Sequence, residues 1–145
     1  MDITSDPTRT LVQPLVAELC TVDGISARVL TDLSYDPRDP FAVSLVFRTQ
    51  PKPVRWTFGR ALLTDGLVEA TGDGDVHVWP CLDDSGLAVV MVELCSPDGD
   101  VLVQLRSHDV VSFLDRTEAV VPTGQESDLL DVDAAIAACF AADLR

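Results

Sequence analysis

An α+β domain is predicted by three features of the chain. Apolar and polar side chains alternate with period two through the first two thirds, turns rich in Pro, Gly and Asp separate those runs, and apolar stripes at helical spacing appear only near the end. Thr10 to Cys20 is rich in Leu and Val, and Pro14 within it lacks a ladder donor, which predicts an edge strand or a bulge. Ala27, Val29, Thr31, Leu33 and Tyr35 alternate with Arg28, Leu30 and Asp32 as a second strand. Two Asp-Pro steps between Tyr35 and Pro40 close it, and Phe41, Val43, Leu45 and Phe47 begin a third strand that returns as a hairpin. Beyond the proline loop 49–53, Val54, Trp56 and Phe58 mark one face of a fourth. Arg60 to Asp65 reads as one or two helical turns, with Gly66 where a left-handed C-cap is wanted.

The second half repeats the theme. Thr71-Gly72-Asp73-Gly74-Asp75 is a tight turn, and Val76 to Pro80 alternates until the proline is expected to stop it. Leu87 to Cys95 and Val101 to Arg106 flank Ser96-Pro97-Asp98-Gly99, a hairpin with the expected turn chemistry. Leu87 to Val92 is apolar at both parities, so both of its faces need cover, from a second packed sheet or from a neighbouring subunit. Ser107 is placed to cap a helix whose Val110, Phe113, Leu114 and Thr117 share one face, with Asp109 near the positive end of its dipole. Asp131 is placed to cap another, with Val132, Ile136, Cys139, Phe140 and Leu144 as its apolar stripe.

The 145 residues make one domain, and a hydrophobic share of 47% against 23% charged residues supports a sizeable core. Acidic residues outnumber basic ones 24 to 10, for a formal net charge of −14. That field opposes phosphate backbones and anionic lipid heads, so no nucleic-acid partner is expected. The longest apolar run, Leu87 to Val92, is far short of the roughly 20 residues of a membrane-spanning helix, so no membrane insertion is expected. The acidic N-terminus lacks the marks of a secretory signal, so a cytoplasmic location is expected.

Chemistry is sparse. Cys20, Cys81, Cys95 and Cys139 form no C-x-x-C pair, so neither zinc nor a redox motif is expected from their spacing. His77 on a strand and His108 in a first helical turn have no G-x-S-x-G or comparable frame, which argues against hydrolytic catalysis. Gly72-Asp73-Gly74-Asp75 resembles the start of a calcium loop but lacks the later bidentate Glu, so a turn is the better reading. Glycines form no phosphate loop, and no cofactor is expected. Trp56, Phe58 and Trp79 lie on strands as base-stacking platforms often do, but without a cationic groove they read as packing. A single-strand binder would need Arg48, Lys52, Arg55 and Arg60 to converge beside Trp56.

Several of these segments match a known pattern. Tyr35-Asp36 with Asp39-Pro40-Phe41-Ala42-Val43, Trp56-Thr57-Phe58-Gly59-Arg60-Ala61-Leu62-Leu63, and Gly66-Leu67 resemble the SsgA-like proteins of sporulating actinobacteria. So do Thr71 to Val76 with Val78-Trp79-Pro80, Ser96-Pro97 with Gly99, and Ser112-Phe113-Leu114-Asp115-Arg116-Thr117 with Val121-Pro122, Gly124 and Glu126. The resemblance spans about residues 10 to 140 of a single domain 1–145 whose first nine residues are expected to be flexible. Gly59 and Thr123 depart from it, standing where alanine and proline are expected. The resemblance favours the SsgB-like branch over the SsgA-like one. It implies a whirly-like fold of packed antiparallel sheets with amphipathic C-terminal helices, assembled as a homotrimer. It also implies a non-enzymatic regulator of sporulation-specific cell division that works with an SsgA-like partner to place the division protein FtsZ at future septa. Arg60 and Arg116 are the candidate partner contacts, each with internal pairing to a carboxylate as the alternative; the remaining reading of the same fold is a whirly-like single-strand binder.

Overall fold

Every alternating run becomes an antiparallel strand in the computed structural model, which describes residues 9–20 and 26–128. Strands β1 (Leu11–Cys20), β2 (Ser26–Tyr35), β3 (Ala42–Phe47) and β4 (Val54–Gly59) form one meander. Helix α1 (Arg60–Asp65) leads to a second, made of β5 (Thr71–Asp73), β6 (Val76–Leu82), β7 (Ala88–Ser96) and β8 (Gly99–Arg106), and helix α2 (Ser107–Val120) follows. The meanders join where Glu18, Leu19 and Cys20 of β1 pair with Gln104, Val103 and Leu102 of β8. One curled eight-stranded sheet results, in the order β4-β3-β2-β1-β8-β7-β6-β5, and the α+β architecture expected from the sequence is present.

The inner face of that sheet carries the core. Leu33, Leu45, Val78, Val92, Val103 and Leu105 are fully buried there, with α2 contributing Val110 and Phe113 and α1 contributing Leu63. The stripe expected on α2, Val110, Phe113, Leu114 and Thr117, is its buried face. The expected capping differs. Arg106 holds the N-cap position in extended backbone with no side-chain cap bond, because α2 grows directly out of β8 and Ser107 is already helical. The helix proposed from Asp131 lies outside the described residues, as do residues 1–8.

Proline behaves as a marker of partial pairing rather than of strand ends. Pro14 sits inside β1, which has neighbours on both sides, but β8 reaches only residues 18–20, so the segment around Pro14 is paired to β2 alone. Likewise Pro80 does not end β6. It pairs with Val90 in a stretch that the short β5 does not reach, where a missing N–H costs no ladder bond on that side. Gly66 is not a left-handed cap: its φ of −66° and ψ of −12° are right-handed. Glycine is required there because a Cβ would lie 2.6 Å from the Val78 Cβ and 3.1 Å from the Leu62 carbonyl oxygen. Positive φ is needed instead at Gly74, at +61°, in the two-residue turn between the paired Asp73 and Val76.

Both parities of β7 are covered within this one chain. Val90, Val92 and Leu94 enter the core. Val89 and Met91, on the outer face, are 2% and 8% exposed. Their cross-strand partners are Arg106 and Gln104 on one side and Cys81 and Trp79 on the other, and the apolar parts of Arg106, Gln104 and Trp79 supply the cover expected of a second sheet or subunit.

Candidate interaction surface

Arg60 opens α1 directly after β4, which directs its side chain under the C-terminal end of α2. Only 2% exposed, it donates from Nη1 to the Val121 carbonyl at 2.7 Å and to Thr117 Oγ1 at 3.3 Å, and from Nη2 to Glu126 Oε2 at 2.9 Å. Its guanidinium also lies 5.2 Å from the centre of the Tyr35 ring. The Tyr35 hydroxyl donates to the Pro40 carbonyl, and burial pushes its pKa up to about 12, with Arg60 pulling the other way. The hydrogen bond from Arg60 holds the Glu126 carboxyl below its ordinary value. The residue offered as a partner contact is therefore an internal tie joining α1, α2 and the 121–126 segment, with almost no surface of its own.

Arg116 is placed differently. It lies exposed on the outer side of α2, donating weakly to Gln13 Oε1 at 3.3 Å, while Gln13 Nε2 donates to the Asp109 carbonyl at 2.9 Å and pins β1 to the helix. His108, Val111, Ser112, Asp115 and Ala119 share that surface with it. Val111 is also the border of an open groove of about 600 Å³ between the α1–β5 connection, the end of β6 and the first turn of α2. This groove is mainly apolar: Leu67, Val68, Pro80, Leu82 and Ala88 line it beside Val111. Val68 is 79%, Leu82 65% and Val111 42% exposed. An apolar groove that meets, at Val111, the polar α2 surface bearing Arg116 has the anatomy of a protein-binding patch.

Sequence reasoning missed the groove, although Val111 carried a signal, being apolar yet off the buried stripe of α2. Two of the four cations that a single-strand binder would need are engaged elsewhere, while Lys52 is exposed. Arg48 is paired with Asp32 at 2.6 Å, Arg60 is buried, and Trp56 is partly buried against the core while its neighbour Arg55 is exposed. Phe58, Leu62, Leu63, Phe113 and Leu114 are structural as expected, and Trp79 packs on the outer face opposite Met91. No helix among the described residues is long and apolar enough to cross a membrane.

Residues 29–126 match the model of a family described as Streptomyces sporulation and cell division protein, SsgA. The chain belongs to the SsgA family. Among relatives, the sporulation-specific cell division protein SsgB of Frankia casuarinae is 43% identical over 124 residues, covering 85% of this chain and 86% of that one. SsgB of Streptomyces coelicolor is 43% identical over 109 residues, covering 74% and 79%. A solved SsgA-like sporulation-specific cell division protein from Thermobifida fusca superposes with a TM-score of 0.82 at 35% identity, over 92% of this chain and 97% of that one. An SsgB structure, reported with the statement that SsgB mutations correlate to longitudinal cell division during sporulation of Streptomyces coelicolor, gives 0.78 at 39%, over 83% and 95%. The SsgA-family likeness foreseen from the short motifs thus extends over most of the chain, and these relatives support a role in sporulation-specific cell division.

Proposed function

We propose that this SsgA-family chain is a non-enzymatic adaptor of sporulation-specific division, which helps position the FtsZ ring at septum sites together with an SsgA-like partner. The observation that carries this reading is the exposed apolar groove at Val68, Leu82 and Val111, continuous through Val111 with the α2 surface that bears Arg116. Such a surface binds protein, whereas the paired or buried state of Arg48 and Arg60 disfavours a nucleic-acid strand. The adaptor acts as a homotrimer located at division septa. Exposed apolar side chains on the outer face, such as the paired Val16 and Leu30, offer area for self-association.

Co-sedimentation with polymerising FtsZ tests the proposal. Wild type pellets with the polymer; Val111→Asp and Leu82→Asp each weaken binding by about tenfold or more, as loss of an interface anchor does. Arg116→Ala gives a smaller loss. Wild type remaining in the supernatant overturns direct recruitment, and Asp variants that pellet like wild type overturn the groove as the contact.

A further inference from the structure

The outer face of the second meander brings together residues that are far apart in sequence. His77 of β6 stands directly opposite Glu93 of β7, and Cys95 follows two residues on along the same face. Their ligand atoms, a ring nitrogen of His77, a Glu93 carboxylate oxygen and Cys95 Sγ, all lie within 4.8 Å of one another. Asp100 of β8 is the cross-strand partner of Cys95, and the Cys95 N–H donates to the backbone carbonyl of Asp75.

Nδ1 of His77 is the observation that asks for an explanation. The side chain as a whole is 45% exposed, yet this one nitrogen is shielded from solvent. It is the single buried side-chain N or O atom, among the described residues, that lacks a hydrogen-bond partner. Glu93 Oε1 is 3.4 Å away without hydrogen-bond alignment. Two ligands about 2.0–2.2 Å from a tetrahedral Zn²⁺ are roughly 3.3–3.5 Å apart, so the spacing fits a shared metal better than a direct bond. The ring is also held in place. It lies over Gly72, its partner in β5, where a Cβ would come within 3.1 Å of Nε2 and 3.3 Å of Cγ, so only glycine lets the imidazole rest against the strand.

We propose that His77, Glu93 and Cys95 form a zinc site on the outer face of the β6–β7 pair, with Asp100 or water completing four ligands. Imidazole, carboxylate and thiolate together suit a borderline-soft ion and are a poor set for Ca²⁺ or Mg²⁺, which take oxygen ligands. On binding, the Cys95 thiol gives its proton to solvent as the Zn–S bond forms. The bound ion clips β6 to β7 beside the turn at Gly74.

The test uses full-length protein stripped with a chelator, titrated with Zn²⁺ by calorimetry and with Co²⁺ by absorption. One ion per chain and a Co²⁺–thiolate charge-transfer band are expected. His77→Ala and Cys95→Ser each weaken Zn²⁺ binding at least about tenfold, since loss of even an outer partner costs that much, and Cys95→Ser abolishes the band. The isosteric Glu93→Gln weakens binding, while Cys81→Ser leaves ion and band intact; circular dichroism checks each fold. Absence of saturable one-per-chain binding in wild type overturns the site. So does undiminished binding in His77→Ala, which marks diffuse attraction to an acidic surface, or a band that survives in Cys95→Ser.

Discussion

Replacing Arg60 by methionine keeps most of the side-chain stem while removing every donor of the guanidinium, and so isolates the tie between α1 and the end of α2. The Val121 carbonyl loses a partner at 2.7 Å and Glu126 loses one at 2.9 Å. Hydrogen bonds to charged groups contribute about 1.5–3 kcal/mol each, and removing one member of a buried ion pair costs about 3–5 kcal/mol. Glu126 is at the margin of the structure, with 12% of its side chain exposed, and recovers some water when abandoned. The lower end applies, about 3 kcal/mol, or a fall in Tm of roughly 6–12 °C for a chain of this size. Urea unfolding followed by tryptophan fluorescence measures it. A double-mutant cycle with Glu126→Gln should return a coupling of about 1–3 kcal/mol. Arg60→Met within about 0.5 kcal/mol of wild type, or two losses that simply add, would refute the reasoning.

Three further outcomes rest on the same geometry. Gly66→Ala, though its backbone is right-handed, should cost about 1–3 kcal/mol by overpacking against Val78, whereas Gly74→Asn, in open space at positive φ, should stay within about 1 kcal/mol of wild type in urea unfolding. Because the folded state depresses the Glu126 carboxyl, its stabilisation is fully present above the ordinary value of 4.5 and fades as pH falls through the lower folded value. The stability difference between wild type and Glu126→Gln should therefore shrink on acidification below pH 4.5, and a constant difference would contradict it. Tyr35 is the sole tyrosine, so ultraviolet titration reads it directly: the native phenol should ionise near 12 instead of 10.0, and stability should decline above pH 10.0 as the unfolded chain releases that proton more readily.

Period-two alternation made most strands legible because, β7 apart, one face lies on the core and the other outside, and a two-residue repeat reports that asymmetry directly. The hairpin turn after Ser96 and the α2 stripe were visible for the same local reason. Where local rules failed, a distant residue decided the outcome. Val78, twelve residues downstream, sets the requirement at Gly66; the reach of β5 and β8 decides whether Pro80 and Pro14 are tolerated. The chemical sites follow the same division. Arg60 carried a family signature but its burial depends on Glu126, 66 positions away, and the His77, Glu93 and Cys95 cluster has no linear spacing to recognise because it is assembled by strand pairing.

Fold maintenance and partner binding should separate along α2. Arg60 grips Thr117 and Val121 at the C-terminal end, while the groove takes Ser107 and Val111 from the first turns. Ten residues separate Val111 from Val121, or about 15 Å of helix. Inner-face packing by Val110, Phe113 and Leu114 fixes the helix between those points, so local loosening at the far end need not displace the groove. Glu126→Gln should consequently lower the Tm yet leave FtsZ co-sedimentation within about twofold of wild type when assayed well below the transition. Val111→Asp should do the reverse, since a half-exposed side chain contributes little to folding but sits at the centre of the proposed contact. If Glu126→Gln loses binding in step with stability, the two ends of α2 move as one body, and the partner is reading the state of the whole helix instead of the groove alone.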